Sequence, residues 1–478
     1  MRFYLMFLSF YTFLSAQPLD TLWTKTLGGE EDEWSAQVIQ TSDGGYAIVG
    51  YTATYGAGNG NVWLVKIDSK GDTLWTRTFG GPEEDWGSSI IQTSDGGYVI
   101  LGRTESFGSG STDAYLIRTD SSGNTLWTRT FGGEKDDWGH SIIKAIDGGY
   151  LLLGSTESFS QGEYMNIWVI KTDTSGDTLW TRTFGGIDLA AGYSLIQTSD
   201  EGYVILGDLL SVGYPDVYLI KIDIEGNLLW TNTFGGEYCD WGNSVIQTSD
   251  NGYLITGVTN FRGTGKKRDL YLAKVSNIGE VLWEKAFGKA AWGNSVIETK
   301  DRGYLITGCT YLNGAGGGDL WLVKTDPDGD TLWTRTFGGN REDWGRSIIP
   351  TSDGGCIITG GTLSFGGGKC DIWILKLIPK SGIGEGNALE KSCIRISSYP
   401  RSGGMDIRFS VPERTKVRVM VYDILGSLRA TLLKEKQVEP GVEQRIVLDD
   451  RCLTPGVYFL VITTDKGEQS SCKIIVVR

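Results

Sequence analysis

Between Leu22 and Lys376 the chain alternates short apolar runs with Gly-rich polar breaks in a fixed cycle of four. One cycle reads Ser89-Ile90-Ile91-Gln92, Tyr98-Val99-Ile100-Leu101, Ala114-Tyr115-Leu116-Ile117 and Leu126-Trp127-Thr128-Arg129. Such runs, rich in β-branched and aromatic residues and too short for helices, predict strands. The breaks carry turn chemistry: Asp95-Gly96-Gly97 between the first two runs, and Asp120-Ser121-Ser122-Gly123 between the third and fourth.

A Leu-Trp pair marks the fourth run and recurs at Trp23, Trp75, Trp127, Trp180, Trp230, Trp283 and Trp333, at intervals of 50 to 53 residues. Four strands in such a repeat make one β-propeller blade. The phase decides how the array ends. The chain enters on a fourth-type strand, Asp20-Thr21-Leu22-Trp23-Thr24, and the last repeat stops after its third, Ile372-Trp373-Ile374-Leu375-Lys376. Each type of run occurs seven times, so the first strand completes the last blade and the expectation is an all-β, seven-bladed propeller over residues 17–378. An open solenoid would call for atypical capping repeats instead of a split unit.

The blocks Phe79-Gly80-Gly81, Asp85-Trp86-Gly87 and Asp95-Gly96-Gly97-Tyr98 resemble the Trp-rich propeller repeats of bacterial and archaeal surface proteins. The stretch Asp68-Ser69-Lys70-Gly71-Asp72-Thr73-Leu74-Trp75 is distantly similar to quinoprotein repeats and to sialidase Asp boxes. These resemblances imply the blade and not the chemistry of those families.

The ends of the chain differ from its repeats. Met1-Arg2, an apolar run from Phe3 to Leu14 and Ser15-Ala16-Gln17 have the form of a signal peptide over residues 1–16. No later segment supplies the roughly 20 apolar residues of a membrane span. All 17 Trp lie before residue 379, where a Gly-rich stretch, 379–390, reads as a linker. Residues 391–478 offer about seven short alternating runs, consistent with a small Ig-like β-sandwich. Tyr399-Pro400, the segment through Tyr422, Asp423 and Gly426, the pair Gly456 and Tyr458 within Pro455-Gly456-Val457-Tyr458, and the end from Lys473 to Arg478 resemble the type A C-terminal sorting domain of the type IX secretion system. The opening departs from that family, with Arg401-Ser402 where Asn-Pro is usual. The resemblance implies that the secretion machinery is a partner and that the protein is secreted or held on the outer cell surface.

Charge narrows the choice of partner. Of the net −14, residues 391–478 hold 15 Lys and Arg against 10 Asp and Glu, leaving 29 against 48 in residues 1–390. An acidic body argues against nucleic acid, which requires basic patches. The seven cysteines, Cys239, Cys309, Cys356, Cys370, Cys393, Cys452 and Cys472, lack metal-binding spacing. Cys356 and Cys370 flank one expected hairpin, where a bridge and two buried thiols are both open readings. The single histidine, His140, leaves no multi-His metal site and no evident Ser-His-Asp set. No cofactor is indicated.

The Asp-x-x-Gly-Asp/Asn turns at Asp68, Asp120, Asp173, Asp223 and Asp326, and the turn residues Asp43, Asp95, Asp147, Asp200, Asp250, Asp301 and Asp353, recur as folding constraints do. More informative are the crossovers between blades, six of which carry a Trp: Trp34, Trp86, Trp138, Trp241, Trp292 and Trp344. An acid precedes five of them, Glu33, Asp85, Asp137, Asp240 and Asp343. Aromatic faces beside carboxylates at a channel mouth suit sugar rings or cationic groups; packing of each Trp between blades is the competing reading. Two units break the pattern, with Ala190-Ala191-Gly192-Tyr193 and Lys289-Ala290-Ala291-Trp292. The loops between second and third strands vary, are Gly-rich, and are expected on the same face, one of them carrying Lys266-Lys267-Arg268. The expectation is a binding scaffold, not an enzyme, for a glycan or surface protein. An extracellular polysaccharide hydrolase or lyase would need a non-repeated pair of acids at the mouth, and a quinoprotein oxidoreductase a cofactor cavity on the axis.

Overall fold

The structure, a computed structural model, describes residues 19–379 apart from 211–212, 237, 261–267, 289 and 313. It also describes residues 395–476 apart from 402–403, 412–413, 424–427, 440–443, 450–452, 454–455 and 466–468. The chain falls into two compact units, Met1–Gly382 and Ile383–Arg478. The expected signal peptide, most of the expected linker and Gly426 lie outside the described residues.

The first unit is a seven-bladed propeller of four-stranded antiparallel sheets. A representative blade is β6 (Asp85–Gln92), β7 (Tyr98–Thr104), β8 (Asp113–Thr119) and β9 (Thr125–Phe131), in sequence order from axis to rim. The last blade is β26 (Asp343–Pro350), β27 (Cys356–Thr362) and β28 (Asp371–Pro379), completed by β1 (Leu19–Leu27). β1 runs antiparallel to β28 from Leu19 opposite Pro379 to Leu27 opposite Ile372, and Trp373 Nε1 donates to Thr24 Oγ1 at 2.6 Å. The ring therefore closes as the phase of the repeat requires.

Burial explains the pattern along each blade. The two middle strands lie between neighbouring sheets and are apolar on both faces, so β7 and β8 are buried almost throughout. The rim strand β9 is only half covered and alternates polar with apolar. Alternate residues of one middle strand serve different interfaces: Tyr98 and Ile100 pack towards the blade before, Val99 and Leu101 towards the blade after. Seven such apolar clusters fill the seven gaps, including the one between last and first blades, where Ile357, Ile372 and Ile374 meet Val38, Ile48 and Val65.

A cation at the end of each third strand clasps the Asp of its own blade's first turn. The pairs are Lys66–Asp43, Arg118–Asp95, Lys171–Asp147, Lys221–Asp200, Lys274–Asp250, Lys324–Asp301 and Lys376–Asp353, at 2.6 to 3.1 Å. The cations are 1 to 9% exposed, so each would be stranded without its acid. Burial opposes the charge on Asp43 and on Asp250, yet hydrogen bonds from Thr41 and Lys66, and from Lys274 and Thr248, hold both at about 2. The Asp-x-x-Gly turns are also structural: Asp120 Oδ1 accepts from the Ser122 and Asn124 amides at 2.9 and 2.8 Å. Cys356 and Cys370 are buried free thiols.

The second unit has a three-stranded sheet, β29 (Arg395–Arg401), β30 (Gly404–Ser410) and β33 (Gln444–Asp449), and a four-stranded one ordered β32 (Leu428–Val438), β31 (Thr415–Asp423), β34 (Gly456–Thr464), β35 (Gln469–Val476). Ile407, Phe409 and Leu448 of the first share a core with Val417, Val419, Val421, Leu460 and Ile462 of the second.

The clasps predict an asymmetry between partners. Asp200→Ala, which leaves Lys221 buried and unpaired, is expected to cost about 1–3 kcal/mol, whereas Lys221→Met, which refills the space with apolar atoms, costs about 1 kcal/mol or less. Urea denaturation of the two variants checks this, and equal losses would remove the clasp as the cause.

Candidate ligand-binding site

The innermost strands are β2 (Glu33–Gln40), β6, β10 (Asp137–Lys144), β14 (Leu189–Gln197), β18 (Asp240–Gln247), β22 (Ala291–Glu298) and β26, each touching the next in a closed ring round the axis. Every one carries a β-bulge at the same place, between Gly87 and Ser89 in β6 and at the equivalent step in the other six. A bulge re-aims a side chain out of the pleat. The bulged residues are Ala36, Ser88, His140, Tyr193, Asn243, Asn294 and Arg346, and all seven line an axial cavity of about 520 Å³.

Each bulge needs a glycine opposite it in the second strand. A Cβ on Gly50, Gly102, Gly154, Gly207, Gly257, Gly308 or Gly360 would stand 1.7 to 2.1 Å from the carbonyl oxygen of the residue two positions before the bulged one, the crossover Trp or, in β14, Ala191. The Ser after the bulge bonds the next blade. Ser89 Oγ accepts from the Ile142 amide at 3.2 Å, Ser194 from Val245 at 3.3 Å, Ser295 from Ile348 at 3.3 Å and Ser347 from Val38 at 3.4 Å. In the first blade Gln37 replaces that Ser, and its Oε1 accepts from Ile90 N at 2.7 Å and Ser89 Oγ at 2.9 Å.

The crossover Trp residues are half-exposed, and Trp34, Trp86 and Trp344 join the cavity lining. Two of these contacts span blades: Trp34 and Trp344 have centroids 5.2 Å apart, and Trp86 stacks on Tyr51 of the preceding blade at 3.9 Å, whereas Trp292 meets Tyr311 of its own blade at 5.3 Å. The Arg103 guanidinium lies 5.2 Å from the Trp86 ring centre and 5.7 Å from that of Trp138, and Arg268 is 4.1 Å from that of Trp241. Lining and inter-blade packing are thus served by the same rings. Lys266, Lys267 and Lys289 fall outside the described residues.

The acids before these Trp residues sit elsewhere. Asp85, Asp137, Asp240, Asp343 and Glu33 are fully buried and absent from the cavity lining. Asp85 Oδ2 accepts from Gly81 N and Ser106 Oγ, both at 2.8 Å, and Asp343 Oδ2 from Gly339 N at 2.8 Å and Ser364 Oγ at 2.6 Å. Asp137 does the same with Gly133 and Ser158. Asp240 accepts from Gly236 N at 2.5 Å, and Glu33 from Gly29 N at 2.8 Å. They tie each crossover to the loop between second and third strands.

Sequence reasoning passed over the bulged positions, apart from noticing His140 and the Tyr193 departure. The signal was available: in Trp-Gly-x-Ser only x changes freely from blade to blade. It also passed over Asp208, a residue without counterpart in other blades, buried beneath Tyr193. Burial pushes its carboxyl up to about 8, although the Gly242 amide and the Tyr193 hydroxyl both donate to it. The Tyr193 phenol is itself raised, by burial and then by Asp208.

His140 makes edge contacts with Trp138 and Tyr193, and its Nε2 has no hydrogen-bond partner. Enclosure, then the charges of Arg103 and Arg346, lowers it to about 4, so it is neutral at pH 7. Arg346 opens onto the cavity yet is ringed by protein, and that enclosure lowers its pKa. Among the described residues no three His, Cys, Asp or Glu converge to hold a metal ion.

Residues 399–477 match the family model "Secretion system C-terminal sorting domain". The chain carries a type IX secretion sorting domain. It is accordingly exported by that machinery and is attached to the outer surface or released. Tyr399, Pro400, Asp423, Gly456, Tyr458 and Lys473 of the expected motif fall within β29, β31, β34 and β35, with Tyr422 half-buried and Tyr458 buried. Among the described residues no helix is long and apolar enough to cross a membrane.

One curated relative, regulatory protein FlaEY of Caulobacter vibrioides, is 28% identical over 155 residues, which cover 29% of this chain and 16% of that protein. Similar solved structures include puromycin hydrolase (11% identity, TM-score 0.48, 80% of this chain and 58% of that one). A protein of unknown function from Dyadobacter fermentans aligns at 12% identity and TM-score 0.42 over 76% of this chain and 99% of its own. A putative gluconolactonase aligns at 10% and 0.35 over 75% and 94%. At these values none informs the chemistry of the cavity.

Asp208 gives a pH prediction. Its folded pKa lies above the ordinary carboxylate value, so between about pH 4 and 8 the folded state holds a proton that the unfolded chain releases, and stability is lost as pH rises through that window. Asp208→Asn removes this dependence. It should be more stable than the parent by about 2–4 kcal/mol at pH 8 and nearly equal at pH 4, measured by denaturant melts at both.

Proposed function

We propose that the exported propeller is a ligand-binding module of the cell exterior, holding its ligand at the axial cavity, with a glycan or a surface protein as partner. In this reading residues 1–16 are the signal peptide, 17–378 the propeller, 379–390 the linker and 391–478 an Ig-like sorting domain. One observation carries it. A sevenfold scaffold that repeats almost every other inward residue varies at the bulge, placing Ala36, Ser88, His140, Tyr193, Asn243, Asn294 and Arg346 round one cavity. Architecture alone would favour the same residue seven times, whereas a site requires different ones.

The half-exposed rings of Trp34 and Trp344 supply apolar platforms, Trp86 holds Arg103 beside them, and the amides and hydroxyls around them supply hydrogen bonds. A polysaccharide hydrolase or lyase would need two carboxylates facing the substrate. The cavity lining contributes none, and Asp208 stands alone behind Tyr193.

The full chain, applied to an array of glycans and polysaccharides with both retention and product followed, tests this. Specific retention without product is expected, weakened about tenfold or more by Trp86→Ala. Release of product would replace the binding reading with the enzymatic one.

A further inference from the structure

The body of the propeller is acidic, yet the cavity at its axis is not. Its lining contains two guanidinium groups, Arg103 and Arg346, and no carboxylate. Among the described residues neither arginine forms an ion pair. Arg103 spends its faces on Trp86 and Trp138, and its Nε is buried without a hydrogen-bond acceptor. The fields of both arginines reach His140 and help to keep it neutral. Two cations without ion-pair partners that face one cavity repel each other, and an anion placed between them is favoured.

The acids of this face stand outside the lining. Glu84 accepts from Trp86 Nε1 at 3.2 Å, and the charges of Glu84, Asp32 and Glu33 act on the Tyr51 phenol. Acids beside one wall of a positive interior disfavour a chain charged along its length and leave room for one whose charge is confined to its end. Within the cavity the remaining groups suit a sugar: the Trp34 and Trp344 indoles, the Asn243 and Asn294 side chains, and the Ser88 and Ser141 hydroxyls.

Resting on the reading of this cavity as a binding site, we propose that its ligand is a glycan end bearing a single carboxylate, with the pyranose ring against Trp34 and Trp344 and the carboxylate between Arg103 and Arg346. Guanidinium suits this task because it presents several N–H donors in a plane that matches a carboxylate. His140, also in the lining, is neutral and so adds no further charge beside the anion.

Calorimetric titration of the full chain with three probes tests the proposal: a glucuronyl-glucose disaccharide, its methyl ester, and polygalacturonate. The acid is expected to bind about tenfold or more tighter than the ester, the worth of one charge-assisted contact. The polymer, charged at every residue, should bind no better than the ester. Arg346→Gln should weaken the acid about tenfold and the ester far less, with Arg103→Gln as a second variant and a thermal melt confirming that each is folded. Equal binding of acid and ester would overturn the anionic assignment while leaving the binding reading in place. Tightest binding by the polymer would overturn the single-charge assignment, and binding of no probe, with glycan retention also absent, would overturn both.

Discussion

The bulge in each innermost strand is the constraint from which the interior of this propeller follows. One extra residue per strand turns a side chain to the axis. The distortion is tolerated because Gly102 and its counterparts have no Cβ to meet the displaced carbonyl. It is tied down because Ser89 and its counterparts take up amides of the next blade. Packing, hydrogen bonding and the identity of the cavity wall thus share one local feature.

Around that feature the chain separates roles by how often a residue recurs. Residues found in nearly every blade are consumed by structure: the clasped Asp beside each buried Lys or Arg, the Asp-x-x-Gly turns and the crossover acids. Residues that change from blade to blade remain for recognition. Trp34 and Trp344 do both, since they meet across the gap between the last and first blades and also line the cavity.

Much of the fold was legible because it depends on counting. Strand types, blade number and the completion of the last blade by Asp20–Thr24 all follow from a regular period and its phase. The sorting domain was legible from short motifs, although its opening departs from the usual one. The site was less so. The crossover acids were read as channel groups because Asp85 adjoins Trp86, but adjacent strand residues point to opposite sides, and Asp85 turns towards Gly81 and Ser106. Lys66 and its equivalents occupy ordinary strand positions, and nothing in one blade's sequence says that the partner is a turn Asp some twenty residues earlier. The bulge itself escaped for a related reason, since it suspends the alternation by which facing is inferred; only the variability of x in Trp-Gly-x-Ser marked the position.

Closure by β1 also sets an order of events. A chain made from its N-terminus produces the rim strand of the last blade first and the strand it pairs with, β28, some 350 residues later. Until then β1 has no partner and the seventh gap, where Ile357, Ile372 and Ile374 will meet the first blade, is open. The sorting domain begins only a short stretch beyond β28. The ring therefore becomes able to close just before the export address is complete, so a chain that carries its address has by construction also acquired every strand it needs to seal itself.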